Sequence, residues 1–192
     1  LHTADELERL ERSLEGTGVK LVAVSENPVD AIWPDQPAAP FGKAFVHPLE
    51  LAGESHALKR ARLAEELRKA GQKAAVVTLP DSLCWLLNLR GADVPKNPVL
   101  HGFAVLRDDG RVDLFVNPAK LDDAVRVHLG DAVSVHPVEQ FALALQGLTG
   151  PVRVDKGTAP LAVADLLRGA GVEVAWGDDP CRLPKACKNP AE

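Results

Sequence analysis

The sequence predicts an α/β fold built on a mixed β-sheet flanked by helices. Three observations carry this. From Lys73 to Asp178, β-rich runs alternate with helical segments of about ten residues, the signature of an α/β layer architecture. In HGFAVLRDDGRVDLFVN (His101–Asn117), two apolar runs flank Asp109 and Gly110, a pair suited to a hairpin turn with positive φ, so part of the sheet is antiparallel. Of the 192 residues, 46% are apolar, enough to bury a real core.

The elements follow in order. TADELERLERSL (Thr3–Leu14) places Leu7, Leu10 and Leu14 at helical spacing, with Thr3 as cap and Glu6 as its reciprocal partner. VKLVAV (Val19–Val24) reads as a short buried strand. NPVDAIWPDQPAAP (Asn27–Pro40) carries four prolines, which disfavour helix and interior strand, so it reads as a surface connector. HALKRARLAEELRKA (His56–Ala70) is a helix capped by Ser55 and stopped by Gly71, with Leu58, Ala61, Leu63, Ala64 and Leu67 on its apolar side. KAAVVTL (Lys73–Leu79) is a strand, and DSLCWLLNL opens a helix with Asp81 as cap. After the hairpin come a helix over Lys120–Leu129, the strand AVSVHPV, a helix over Val138–Leu148, the strand PVRVD, a helix over Ala159–Gly169 and the strand VEVAWGD.

Composition narrows the function. A net charge of −5 with scattered Lys and Arg offers no field for nucleic acid or an anionic membrane surface. No apolar run approaches the roughly 20 residues of a membrane span, and no basic region precedes an apolar core at the start. Three cysteines, Cys84, Cys181 and Cys187, match neither a paired disulfide framework nor a CxxC metal hook, which points to a reducing cytoplasm. Apolar neighbours mark Cys84 as a buried thiol and Trp85 as core. Phosphate-loop, HExxH and GxSxG patterns are missing, and the six histidines lie on separate elements with no i, i+4 pair to hold a metal.

The stretch CWLLNLRGADVPKNPV (Cys84–Val99) begins apolar and turns abruptly into a charged segment bounded by Pro95 and Pro98. Loops of this kind present polar groups at a surface or cleft. The bland reading is a solvated turn in which Asp93 pairs with Arg90 or Lys96, worth at most about 1 kcal/mol. The functional reading makes Arg90 an anchor whose loop is stiffened by Gly91 and the prolines. Both readings stand on the chemistry alone. His101 is the histidine worth following, because it sits where this loop feeds the hairpin.

Three segments together, VSENPVDAIWPDQPAAP (Val24–Pro40), DSLCWLLNLRGADVPKNPV (Asp81–Val99) and KACKNPAE (Lys185–Glu192), resemble the non-catalytic part of three-domain Xaa-Pro aminopeptidases, the aminopeptidase P branch of the creatinase and prolidase superfamily. The resemblance covers most of the chain; Gln36 stands where the family usually has Arg. It implies a creatinase/prolidase N-terminal-like fold and a division into residues 1–49, the end of a preceding domain plus connector; 50–184, the middle domain; and 185–192, the start of a catalytic-domain helix. It further implies a parent enzyme, a homodimer, that removes an N-terminal residue when proline follows. Two divalent metals, commonly manganese, would sit in a "pita-bread" catalytic domain of the same chain, whose ligands (two Asp, one His and two Glu) lie beyond Glu192.

On that reading the present chain holds no metal and no catalytic residue and is inactive alone. Arg90, Asp93, Asn97 and His101 are the candidates for the face that shapes the substrate cleft. Two rival readings are a pure scaffold for domain or subunit packing, and a catalytically inactive relative used for protein binding, as in histone-chaperone subunits of the superfamily.

Overall fold

A computed structural model describes residues 2–24 and 26–192. The amino-terminal helix α1 (Ala4–Leu14) begins where expected: Thr3 Oγ1 accepts from Glu6 N–H, and the Glu6 carboxylate accepts from Thr3 N–H in return. The helix is tied to the body by Leu161 N–H donating to His2 O at 2.8 Å and by Lys156 Nζ 2.7 Å from Glu8.

The strand expected at Val19–Val24 does not form. That stretch is irregular and exposed, with Val22 79% accessible, because none of the described strands runs beside it and an unpaired strand leaves its backbone groups to water. The connector is exposed as expected, but Pro28–Ile32 makes a short helix, α2, with Asn27 as cap and Pro28 at the first position, where proline's fixed φ helps.

Six strands form the main sheet: β2 (Ala74–Val77), β4 (Phe103–Arg107), β5 (Val112–Phe115), β6 (Val133–His136), β7 (Val152–Val154) and β8 (Val174–Trp176). Their order is β6-β5-β4-β2-β7-β8, with β2/β4 and β4/β5 antiparallel and the remaining pairs parallel, so the sheet is mixed as predicted. In the hairpin turn only Gly110 takes positive φ, at 85°; Asp109 does not share it. Alternation along the strands splits the core in two. Ala75, Val77, Leu106 and Leu114 face helices α4 (His56–Lys69), α5 (Pro80–Leu87) and α6 (Asp123–Leu129), whereas Ala74, Val76, Val105 and Phe115 face α7 (Phe141–Gln146) and α8 (Leu161–Gly169).

Two helix details depart from the sequence reading. Helix α5 is capped two residues early, with Pro80 in its first turn and Leu79 as cap rather than Asp81. On α4, Leu58 is exposed while Lys59 and Arg60 are buried, because the stripe facing the sheet runs through residues 59, 63 and 67.

Missed altogether were a two-stranded sheet of β1 (Ala44–Val46) and β3 (Leu89–Gly91), the short helix α3 (Leu49–Ala52) and α9 (Arg182–Ala186). β1 lies ahead of the boundary expected at residue 50.

Candidate functional site

The abrupt segment after α5 is half strand and half turn. α5 ends at Asn88, whose left-handed backbone (φ 50°, ψ 49°) reverses the chain into β3. Every polar group of Asn88 is engaged. Its N–H bonds the end of α5, its carbonyl accepts from His47 N–H at 2.8 Å, its amide nitrogen donates to Glu54 O at 2.9 Å, and its amide oxygen accepts from Lys59 Nζ at 2.9 Å.

Lys59 is only 1% exposed, and among the described residues no carboxylate lies within 4 Å of it. Its ammonium instead meets the Trp85 carbonyl at 3.1 Å and the Trp85 ring at 4.3 Å, a cation placed at the negative end of a helix. Burial pulls its pKa below the ordinary lysine value.

β3 then pairs with β1, Phe45 opposite Arg90 and Ala44 opposite Gly91. A side chain at Gly91 would meet Val99 O at 2.6 Å and Leu100 Cα at 2.7 Å, so the position accepts only glycine. Residues 92–99 fold back tightly, with Asn97 N–H bonded to Val94 O and Lys96 at φ 64° at the tip.

Asp93 pairs with neither Arg90 nor Lys96. Its side chain is fully buried, and Lys120 Nζ lies 2.7 Å and 2.8 Å from its two oxygens. Those oxygens also accept from Gly42 N–H at 2.8 Å and His101 N–H at 2.7 Å. Burial alone raises the pKa of such a carboxyl, but the Lys120 ammonium and the two backbone donors more than offset it, and the net direction is downward. Asp93 therefore faces the interior, joining connector, loop and hairpin, and touches no surface cleft itself.

Arg90 and Asn97 are brought together. They line a cleft of about 170 Å³ together with Asp81, at the start of α5, and with Lys185, Lys188 and Glu192 of the C-terminal segment. Lys185 is ion-paired with Asp81, whereas among the described residues the half-buried Arg90 side chain donates only to the neighbouring Leu89 carbonyl and has no carboxylate within 4 Å. The cleft can thus offer a guanidinium and an amide to an acceptor, such as a carbonyl or carboxylate.

His101 stands apart: its backbone is held by Asp93, its side chain is exposed, and it does not line the cleft. The three cysteines are unpaired, Cys84 and Cys181 buried and Cys187 exposed. Among the described residues no group of three His, Cys, Asp or Glu side chains is placed to hold a metal ion, and no helix is long and apolar enough to cross a membrane.

Sequence reasoning missed Lys59, Asn88 and Lys120. The first two were readable in principle: Lys59 falls four residues before Leu63 on the buried stripe, and an Asn after an apolar helix is a natural left-handed cap. Lys120, 27 residues beyond its partner, carries no local signal.

The model of the creatinase/prolidase N-terminal domain matches residues 35–192, most of the chain and all of the loop and cleft just described. This chain belongs to that family. A probable Xaa-Pro aminopeptidase P of Coccidioides posadasii (strain C735) is 37% identical over 202 aligned residues, which take in the whole of this chain but 31% of the relative. One from Paracoccidioides brasiliensis (strain Pb03) is 40% identical over 138, covering 71% of this chain and 22% of the relative. The chain thus spans about a third or less of these curated relatives. Among solved structures, the X-prolyl aminopeptidase of Caenorhabditis elegans, described as a cytosolic enzyme with a di-nuclear active site, superposes with a TM-score of 0.88 at 26% identity over all of this chain and 32% of that one. The prolidase of Pyrococcus horikoshii OT3 shares the fold alone, with a TM-score of 0.51 at 17% identity over 70% of this chain and 37% of that one.

Proposed function

We propose that this chain is the non-catalytic N-terminal region of a cytoplasmic Xaa-Pro aminopeptidase, and that the parent protein hydrolyses the bond between an N-terminal residue and a following proline. The observation that carries the reading is the superposition of the whole of this chain on 32% of the nematode X-prolyl aminopeptidase, combined with 37% identity to a probable Xaa-Pro aminopeptidase P across the chain. The proposed division is a preceding-domain end and connector over 1–49, a middle domain over 50–184 and a catalytic-domain helix starting in 185–192. Two divalent metals, manganese for preference, belong to the catalytic domain, and the parent acts as a homodimer.

In this account Arg90 and Asn97 form part of a wall beside the catalytic cleft, Asp93 holds that wall in place, and His101 contributes its backbone N–H to the Asp93 anchor rather than a side chain to the wall. A tertiary amide before proline has no N–H to donate, so recognition falls on carbonyl oxygens, on the ring's shape and on the free amino terminus. A guanidinium and an amide on a glycine- and proline-stiffened loop suit the first of these. A second reading has a specific observation in its favour: the deep burial of the Asp93–Lys120 pair is what a loop used purely for packing would also display.

Arg90→Ala in the full-length protein separates the two. A fall in kcat/KM at unchanged melting temperature supports the cleft wall, and lost stability with normal kinetics supports packing.

A further inference from the structure

The last four residues form a turn whose hydrogen bonds follow the pattern of an N-cap. Asn189 Oδ1 accepts from the N–H groups of Ala191 at 2.9 Å and Glu192 at 3.2 Å, and Pro190 takes the first position after the cap, where its missing N–H is no loss. Glu192 Oε2 accepts in return from Asn189 N–H at 3.3 Å, closing a capping box.

The same side chain also reaches back across 137 residues of sequence. Asn189 Nδ2 donates to Ala52 O at 2.9 Å, a carbonyl at the C-terminal end of α3 that has no partner within its own helix, and its second proton goes to Glu192 Oε2 at 3.1 Å. One amide therefore serves both the end of α3 and the turn at 190–192, and all four of its hydrogen-bonding positions are filled. Gly53 makes the approach possible. A Cβ there would lie 2.1 Å from Asn189 Oδ1 and 2.5 Å from its Cγ, and at φ 68° the residue caps α3 in the left-handed region.

We infer that Asn189 is a positioning residue: seated on Gly53, it latches the turn over residues 190–192 to the end of α3 and so, where the proposed catalytic domain follows, sets the direction in which the chain enters it. The chemistry singles out asparagine. Ser and Asp accept as well as Asn at a helix cap, but Asp has no N–H for the Ala52 carbonyl and Ser lacks the amide that spans to it. An ordinary cap would tolerate either; a latch does not.

The effect on catalysis rests on the proposal that a catalytic domain follows, whereas the latch itself does not. The test compares wild-type full-length protein with Asn189→Ser by small-angle X-ray scattering, by amide exchange at Ala191 and Glu192, and by cleavage of an Xaa-Pro peptide with manganese added. The expected result is retained exchange protection and metal content in N189S, with a changed scattering profile and kcat/KM lowered about tenfold or more through misplacement of the domains. Wild-type scattering and kinetics in N189S would overturn the inference and leave Asn189 a plain cap. If N189S does not fold, Gly53→Ala, which pushes the Asn189 side chain off its seat, is read by the same criteria. If the wild type cleaves no Xaa-Pro peptide, the aminopeptidase reading fails, and the scattering comparison alone decides the latch.

Discussion

Lys120 Nζ sits 2.7 Å from one carboxylate oxygen of Asp93 and 2.8 Å from the other, with the two side chains 6% and 0% exposed. Lys120 ends the short 3₁₀ turn after β5, and Asp93 starts the turn after β3, so the pair joins the two-stranded sheet to the main one. The backbone N–H groups of Gly42 and His101 complete the carboxylate's shell and bring in the connector and the start of the hairpin.

Breaking a buried pair from one side strands the other charge, so Asp93→Ala should cost about 3–5 kcal/mol of unfolding free energy. Urea unfolding of this chain measures it. Asp93 has a lowered pKa in the folded state, so its contribution is present above the unfolded value of about 3.9 and is lost as the pH falls through the folded one. The Asp93→Ala and wild-type stabilities should therefore converge only in strong acid.

Gly91→Ala should destabilise by about 3 kcal/mol or more, because the added methyl meets backbone at 2.6 Å rather than a side chain that can turn away. A melting temperature within a degree or two of wild type would show that β3 is not pressed against residues 99 and 100 as described.

His56 supplies a pH dependence. Its Nδ1 accepts from Arg60 Nε at 3.3 Å, and its Nε2 lies 3.0 Å from the His128 carbonyl, an arrangement that suits the neutral ring. Burial first, then the Arg60 cation, depresses its pKa to about 4. Between about 6.5 and 4 the unfolded chain binds a proton that the folded one refuses, so stability falls as the pH drops through that window. The ceiling is about 3 kcal/mol, which partial exposure to solvent reduces to about 1. Melting curves from pH 7 to pH 5 should fall less steeply for His56→Gln than for wild type.

Val22, at 79% exposure, lies in the stretch that forms no strand. Val22→Asp should change the unfolding free energy of this chain by no more than about 0.5 kcal/mol. A large loss would mean the segment packs against the domain after all.

Local chemistry made the main sheet and its helices legible: capping at Thr3 and Ser55, the turn at Gly110, and the unbroken apolar runs of β2 and β4 all act over a few residues. Legibility failed where the cause lay far along the chain. Val19–Val24 has the composition of a strand but no neighbour, and Leu89–Gly91 looks like a loop but is drawn into a strand by Ala44–Val46. The candidate site divides in the same way. Arg90 and Asn97 could be chosen by residue type, but Asp93 was misplaced because its partner, Lys120, enters only through tertiary folding.

The most direct test of the central claim is release of the N-terminal residue from an Xaa-Pro peptide with manganese, measured side by side on this 192-residue chain and on the full-length gene product. The account predicts cleavage by the full-length protein and none by the chain alone. Absence of cleavage by both would contradict the aminopeptidase assignment and favour a binding relative, and cleavage by the chain alone would contradict its reading as a non-catalytic region.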